Sequence, residues 1–220
     1  MDHTITNKNA VADIVNKVEH ALTLEHRDDD ASRIGMWLFI FTELILFSGL
    51  FVVYSVFRFK YSESFHIAAK ELDVTIGTIN SIILLLSGMT VVIAYLANKK
   101  GDKRLVMIML AATLILGTVF LINKYFEWNE KFSHGLFPGS GELIGLSYGD
   151  VMFFGLYFFM TGLHALHMVI GLVFISVVIK KVSSDQIHST RYALLENCSL
   201  YWHMVDLIWI FLFPIFYLIN

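Results

Sequence analysis

Five stretches of this chain are each long and apolar enough to cross a lipid bilayer, and that pattern constrains the fold more than any other feature. A hydrocarbon core about 30 Å thick takes roughly 20 helical residues at about 1.5 Å each. The stretches lie at residues 35–57, 74–97, 105–122, 151–179 and 200–219. The second, third and fourth contain no Asp, Glu, Lys or Arg; the first holds only Glu43 and the fifth only Asp206. With 56% hydrophobic and 16% charged residues, the chain also lies well below the roughly one-quarter charged content of soluble domains. The expected fold is all-α, an integral membrane bundle of five transmembrane helices.

The third stretch is short and is expected to extend to Phe126 with Lys124 snorkelling to the interface, whereas the fourth has length enough to tilt. Residues 1–33 are polar and acidic and lack the apolar core of a cleavable signal. This tail is expected to stay attached to the membrane domain at 34–220. Val11, Ile14, Val15, Val18 and Leu22 mark a short amphipathic helix within it, suited to a protein surface more than to anionic lipid. Eleven Lys and Arg fall in the tail and in the loops at 98–104 and 180–198, against five on the opposite side. That bias predicts a cytoplasmic N-terminus and an external C-terminus. The glycine-rich connection from about Asn123 to Asp150 is expected to be an irregular outer loop.

Several kinds of chemistry are disfavoured from the outset. A formal net charge of −3 gives no basic excess for a phosphate backbone, so nucleic acid is not an expected partner. The single cysteine, Cys198, cannot build an internal disulfide or a multi-thiolate metal site. Only three histidines, His164, His167 and His203, lie inside the spans. They are too few for a haem–copper centre with a companion haem, which takes six. No span carries the Glu-x-x-His motif of a di-metal bundle. No metal, cofactor or catalytic group is therefore expected on this chain.

The polar residues that remain inside the spans are costly there and need a reason. Met160, His164, His167 and Gly171 form a stripe on the fourth span that reads as packing and interhelical hydrogen bonding. Asn80, Ser87, His203 and Asp206 read the same way. Gly155 with Gly162, and Gly77 with Ser81 and Gly88, mark seams where helices approach closely. Glu43, one turn from Phe39 and Phe47, reads as a structural carboxyl paired with a histidine; a step on a proton path is the sharper alternative.

Local strings make the reading specific. They are Gly35-Met-Trp-Leu-Phe-Ile-Phe-Thr-Glu43, Asn80-Ser-Ile-Ile-Leu-Leu-Leu-Ser-Gly88-Met-Thr90 and Phe126-Glu-Trp-Asn-Glu130, followed by Thr161-Gly-Leu-His164-Ala-Leu-His167 and Tyr201-Trp-His203-Met-Val-Asp206-Leu-Ile-Trp209. In this order and spacing they resemble subunit III of the haem–copper terminal oxidases, the cytochrome c oxidase subunit III family. The resemblance runs from residue 35 to 220. It implies the five-helix bacterial form, without the two N-terminal helices of seven-helix members, in the bacterial inner membrane.

The resemblance further implies a subunit without a redox centre that packs on oxidase subunit I, alongside subunits such as II and IV that complete the complex. Haem and copper would sit in those partners, and structural phospholipid in a cleft of this chain. Trp37, Phe47, Tyr54 and Phe57 are the candidate lipid-facing side chains. Glu43 matches the family's buried, carbodiimide-reactive carboxyl, with His167 as its expected partner and His164 as second choice. Proton uptake is expected to be supported at the cytoplasmic surface, where the tail gathers His20, His26, Asp28, Asp29 and Asp30. A cytochrome c oxidase is the expected complex. A quinol oxidase and the subunit-III-like protein associated with nitric oxide reductase share these motifs. A small membrane transporter is the alternative of a different class.

Overall fold

The computed structural model describes residues 3–145, 147–187 and 192–219, with side chains from Asp29 onward other than those of residues 142 and 144. Those residues form seven helices: α1 (His3–Lys60), α2 (Ser62–Ala69), α3 (Val74–Lys99), α4 (Lys103–Ser133), α5 (Gly141–Ile144), α6 (Tyr148–Ser183) and α7 (Ala193–Tyr217). Five are long and apolar enough to cross a membrane, the segment of α1 that does so being Asp29–Lys60.

Helix ends follow local chemistry. Asp73 caps α3 by accepting hydrogen bonds from the backbone N–H groups of Thr75 and Ile76 at 2.7 and 3.2 Å. Asp102 caps α4 through Leu105 N–H at 3.0 Å, just after Gly101 turns the chain at a φ of 76°. At the start of α6, Ser147 and Asp150 form a reciprocal capping box.

Three expectations need correction. The tail helix and the first span are one 58-residue helix, and no proline in residues 3–60 stands in its way. At about 1.5 Å per residue it is far longer than a bilayer is thick. Residues 123–133 are not irregular: α4 continues to Ser133, and the turn chemistry begins only at Gly135 and Gly139, which take φ values of 67° and 93°. Lys124 does not snorkel; it is 3% exposed, since partners inside the bundle receive its ammonium group.

Helices α3, α4, α6 and α7 pack in a ring, each against its two neighbours, and α1 lies outside on the α6–α7 seam. Only 11% of the apolar stretch of α1 is buried within the chain, against 56% for α7, so α1 is peripheral and α7 central. The α1 residues that turn inward, Ile40, Phe47 and Tyr54, recur every seven positions, as expected for a coiled-coil-like seam.

Glycines permit the closest approaches to α7. A Cβ at Gly117 or Gly171 would sit 2.7 or 2.9 Å from the Trp202 ring, so the indole is wedged between α4 and α6. Its Nε1 donates to Ser87 Oγ on α3 at 3.0 Å, and Trp209 Nε1 donates to Ser81 Oγ at the same distance. Gly155, by contrast, has open space where a Cβ would be and is no part of a close seam.

Candidate functional sites between the helices

Three features between the helices of the described residues bear on function: two groupings of buried titratable side chains and one largely apolar cavity. At the α1–α6 contact, His167 Nε2 lies 3.1 Å from Glu43 Oε2, with side-chain exposures of 8% and 16%. His167 Nδ1 is 2.8 Å from Leu163 O, an atom that can only accept, so Nδ1 carries a hydrogen. The Nε2–Oε2 contact carries one hydrogen, held either by Nε2 or by the Glu43 carboxyl group. Phe47 meets the imidazole edge-on at 5.7 Å, and Tyr201 OH donates to His167 O at 3.0 Å. His164 turns elsewhere. It lies inside the four-helix ring, stacked on Trp209 at 5.4 Å and edge-on to Phe120 at 5.7 Å, and neither ring nitrogen has a hydrogen-bond partner. The i, i+3 histidines thus serve different neighbours.

A second grouping has no counterpart among the sequence expectations. Lys124 and Glu127, one turn apart on α4, are 3% and 1% exposed. Lys124 Nζ reaches Glu127 Oε2 at 3.2 Å, Tyr157 OH at 3.1 Å and Tyr217 OH at 2.8 Å. Both phenols donate to Glu127 Oε1, Tyr157 at 2.5 Å and Tyr217 in a still shorter contact. The carboxylate accepts three hydrogen bonds and the ammonium donates three, which fits a buried ion pair. The available signal was the Lys-x-x-Glu spacing at the end of an apolar run; the two tyrosines lie on other helices.

The third feature is a cavity of about 560 Å³ between α1, α3 and α7. Trp37 lines it and is 59% exposed. Phe47 and Tyr54, grouped with Trp37 as lipid-facing, are 1% and 2% exposed; both point into the α1 seam, and Tyr54 OH donates to Ile215 O. Phe57 is half-buried and stacks on Tyr61. His203 and Asp206 are on the cavity wall, and Asp206 Oδ1 lacks the interhelical partner expected for it. Asn80 accepts from Asn123 Nδ2 at 2.8 Å, and Ser87 serves Trp202 as described. Of the acidic tail cluster, Asp29 is half-buried and Asp30 lies 3.3 Å from Arg33 Nη1; the side chains of His20, His26 and Asp28 fall outside the described residues. Among the described residues no three His, Cys, Asp or Glu side chains converge as metal ligands.

Comparison with known proteins places these features. The family model described as cytochrome c oxidase subunit III matches residues 7–220. A heme-copper oxidase subunit I+III of Aeropyrum pernix is 32% identical over 197 residues, covering 86% of this chain and 23% of that longer protein. Cytochrome bo(3) ubiquinol oxidase subunit 3 of Pseudomonas putida is 29% identical over 198 residues, 89% of each chain. Cytochrome c oxidase subunit 3 of Thermostichus vulcanus is 28% identical over 206 residues, 92% of each. The family match takes in all five spans together with Glu43, His167, Glu127 and Asp206, and the chain belongs to the cytochrome c oxidase subunit III family.

Proposed function

We propose that this chain is the accessory third subunit of a respiratory cytochrome c oxidase, without a redox centre of its own, packed on a catalytic subunit I that carries haem and copper with its partners. The observation that carries the reading is the family match over almost the whole chain. The Aeropyrum pernix relative, whose name joins subunits I and III in one chain, supports subunit I as the main contact. The lysine and arginine bias supports a cytoplasmic N-terminus and an external C-terminus. The apolar cavity between α1, α3 and α7 supports retention of lipid chains. Proton uptake by subunit I, with His20, His26, Asp28, Asp29 and Asp30 as a surface relay, rests on the resemblance alone. A quinol oxidase is the second reading, favoured by the Pseudomonas putida relative at 29% identity over 89% of both chains.

Affinity purification through a tag on this chain tests the assignment. The expected product contains subunit I and a haem–copper spectrum, while the chain expressed alone shows neither haem nor copper. Turnover with reduced cytochrome c but not with quinol supports the first reading, and the reverse supports the second. Recovery without any haem protein sinks both.

The Glu43–His167 contact is proposed to be a neutral, hydrogen-bonded pair that fastens α1 to α6. A lone carboxylate at that depth would cost several kcal/mol. Glu43→Gln keeps a hydrogen-bonding side chain and is expected to assemble nearly as well as the native chain. Glu43→Ala leaves Nε2 unpaired at a cost of about 1–3 kcal/mol and is expected to assemble less well. Equal yields of complex from the two variants would remove the pair from the proposal.

A further inference from the structure

Asp206 poses a question that its neighbours do not. On α7, Trp202 lies one turn before it and Trp209 one turn after, and both direct their N–H groups to serines of α3 at 3.0 Å. Asp206 faces the same helix between them, yet opposite it stands Gly88, which offers no side chain: a Cβ there would lie 2.5 Å from Asp206 Oδ2. Asp206 is 6% exposed, and its Oδ1 has no hydrogen-bond partner. A buried acceptor left unpaired costs about 1–3 kcal/mol, and such an orphan in a native fold calls for an explanation.

The surroundings supply one. Asp206 is on the wall of the cavity of about 560 Å³ between α1, α3 and α7, a size within the range of roughly 300–1,000 Å³ typical of small-molecule sites. The wall is otherwise apolar, with Leu44, Met89 and Val92 among its side chains; besides the Trp37 indole, only His203 and Asp206 bring polar side chains to it. An apolar pocket with one or two convergent polar groups is the usual form of a ligand site.

Depth narrows the chemistry. Asp206 lies near the middle of α7 (Ala193–Tyr217) and Gly88 near the middle of α3 (Val74–Lys99), about 15 Å from either surface of a bilayer core. A phospholipid headgroup stays at the interface, and an acyl chain brings no donor to that depth. We propose that this cavity binds a bilayer-soluble molecule with an apolar body and a hydroxyl group, the hydroxyl donating a hydrogen bond to Asp206. A membrane quinol and a hydroxylated apolar lipid share that chemistry. The inference rests on the reading of the chain as a membrane subunit whose cavity is reached from the bilayer.

Protection of Asp206 from dicyclohexylcarbodiimide, followed by peptide mass mapping of the nanodisc-embedded complex, tests it. Three probes are compared: decylhydroquinone, 1-tetradecanol and tetradecyl methyl ether, the last with no donor. The hydroxylated probes are expected to reduce Asp206 labelling at least tenfold while leaving Glu43 labelling unchanged, and the ether to do little. Protection by the quinol alone identifies a quinol site; equal protection by the alcohol identifies a hydroxylated-lipid site. Met89→Trp, a change at a 63% exposed wall residue, is expected to raise the protecting concentration about tenfold by filling the cavity. Equal protection by the ether reduces the cavity to a plain acyl-chain groove and overturns the proposal. So does protection by none of the probes. Labelling of Asp206 in the isolated chain but not in the probe-free complex assigns the cavity to a partner subunit, with the same consequence. Because labelling follows Asp206 itself, an error in the assignment of the complex shows separately, in its haem content.

Discussion

Glu127→Ala is expected to destabilise the fold by about 3–5 kcal/mol, the usual cost of removing one member of a buried ion pair. The substitution strands the Lys124 ammonium group at 3% exposure and takes from Tyr157 and Tyr217 the oxygen that accepts both phenols. It also unties α6 and α7 from α4 near one end of the bundle. Glu127→Gln retains an acceptor for the phenols and leaves only the charge uncompensated, so it should fall between alanine and the native residue. Combining Lys124→Met with Glu127→Gln removes both charges and is expected to recover much of the loss, since neutral isosteres of buried pairs are often tolerated. Thermal unfolding of the detergent-solubilised subunit, followed through tryptophan fluorescence, orders these variants. A double variant no better than Glu127→Ala would mean that the charges themselves are not coupled.

The second large effect is expected at Trp202. This side chain is fully buried, bounded by Gly117 and Gly171, and hydrogen-bonded to Ser87. Trp202→Ala should cost about 3–5 kcal/mol through lost contacts and a residual cavity. Gly171→Ala tests the same packing from the other side: its Cβ would press on the indole at 2.9 Å, while α4 backs the ring so closely at Gly117 that a Cβ there would come within 2.7 Å. The ring has little room to retreat, and overpacking of this kind costs about 1–3 kcal/mol. Trp202→Phe frees space, so Trp202→Phe with Gly171→Ala should be less damaging than the sum of the single changes. Strict additivity in unfolding measurements would contradict the wedge.

The two networks differ in how far they could be read in advance. Glu43 stands out in the sequence because a carboxyl group inside an apolar run is costly wherever it points. Lys124 follows the third apolar run, a position that hydropathy alone places at the interface, and hydropathy along a line carries no information about Tyr157 and Tyr217, which lie 33 and 93 positions away. Burial of that lysine depends on three helices meeting.

Five membrane spans were determined by the sequence alone, because a hydrocarbon core about 30 Å thick sets the length and polarity of any helix that crosses it. Their caps at Asp73 and Asp102 were local as well, each acting within three residues of chain. Which face of each helix is buried was decided only by the tertiary structure. In water, an apolar stripe identifies the inward face, but lipid is as apolar as a protein core. Trp37 and Phe47, aromatic residues on the same helix, therefore look alike in sequence, yet Trp37 is 59% exposed on a cavity wall and Phe47 is 1% exposed against His167.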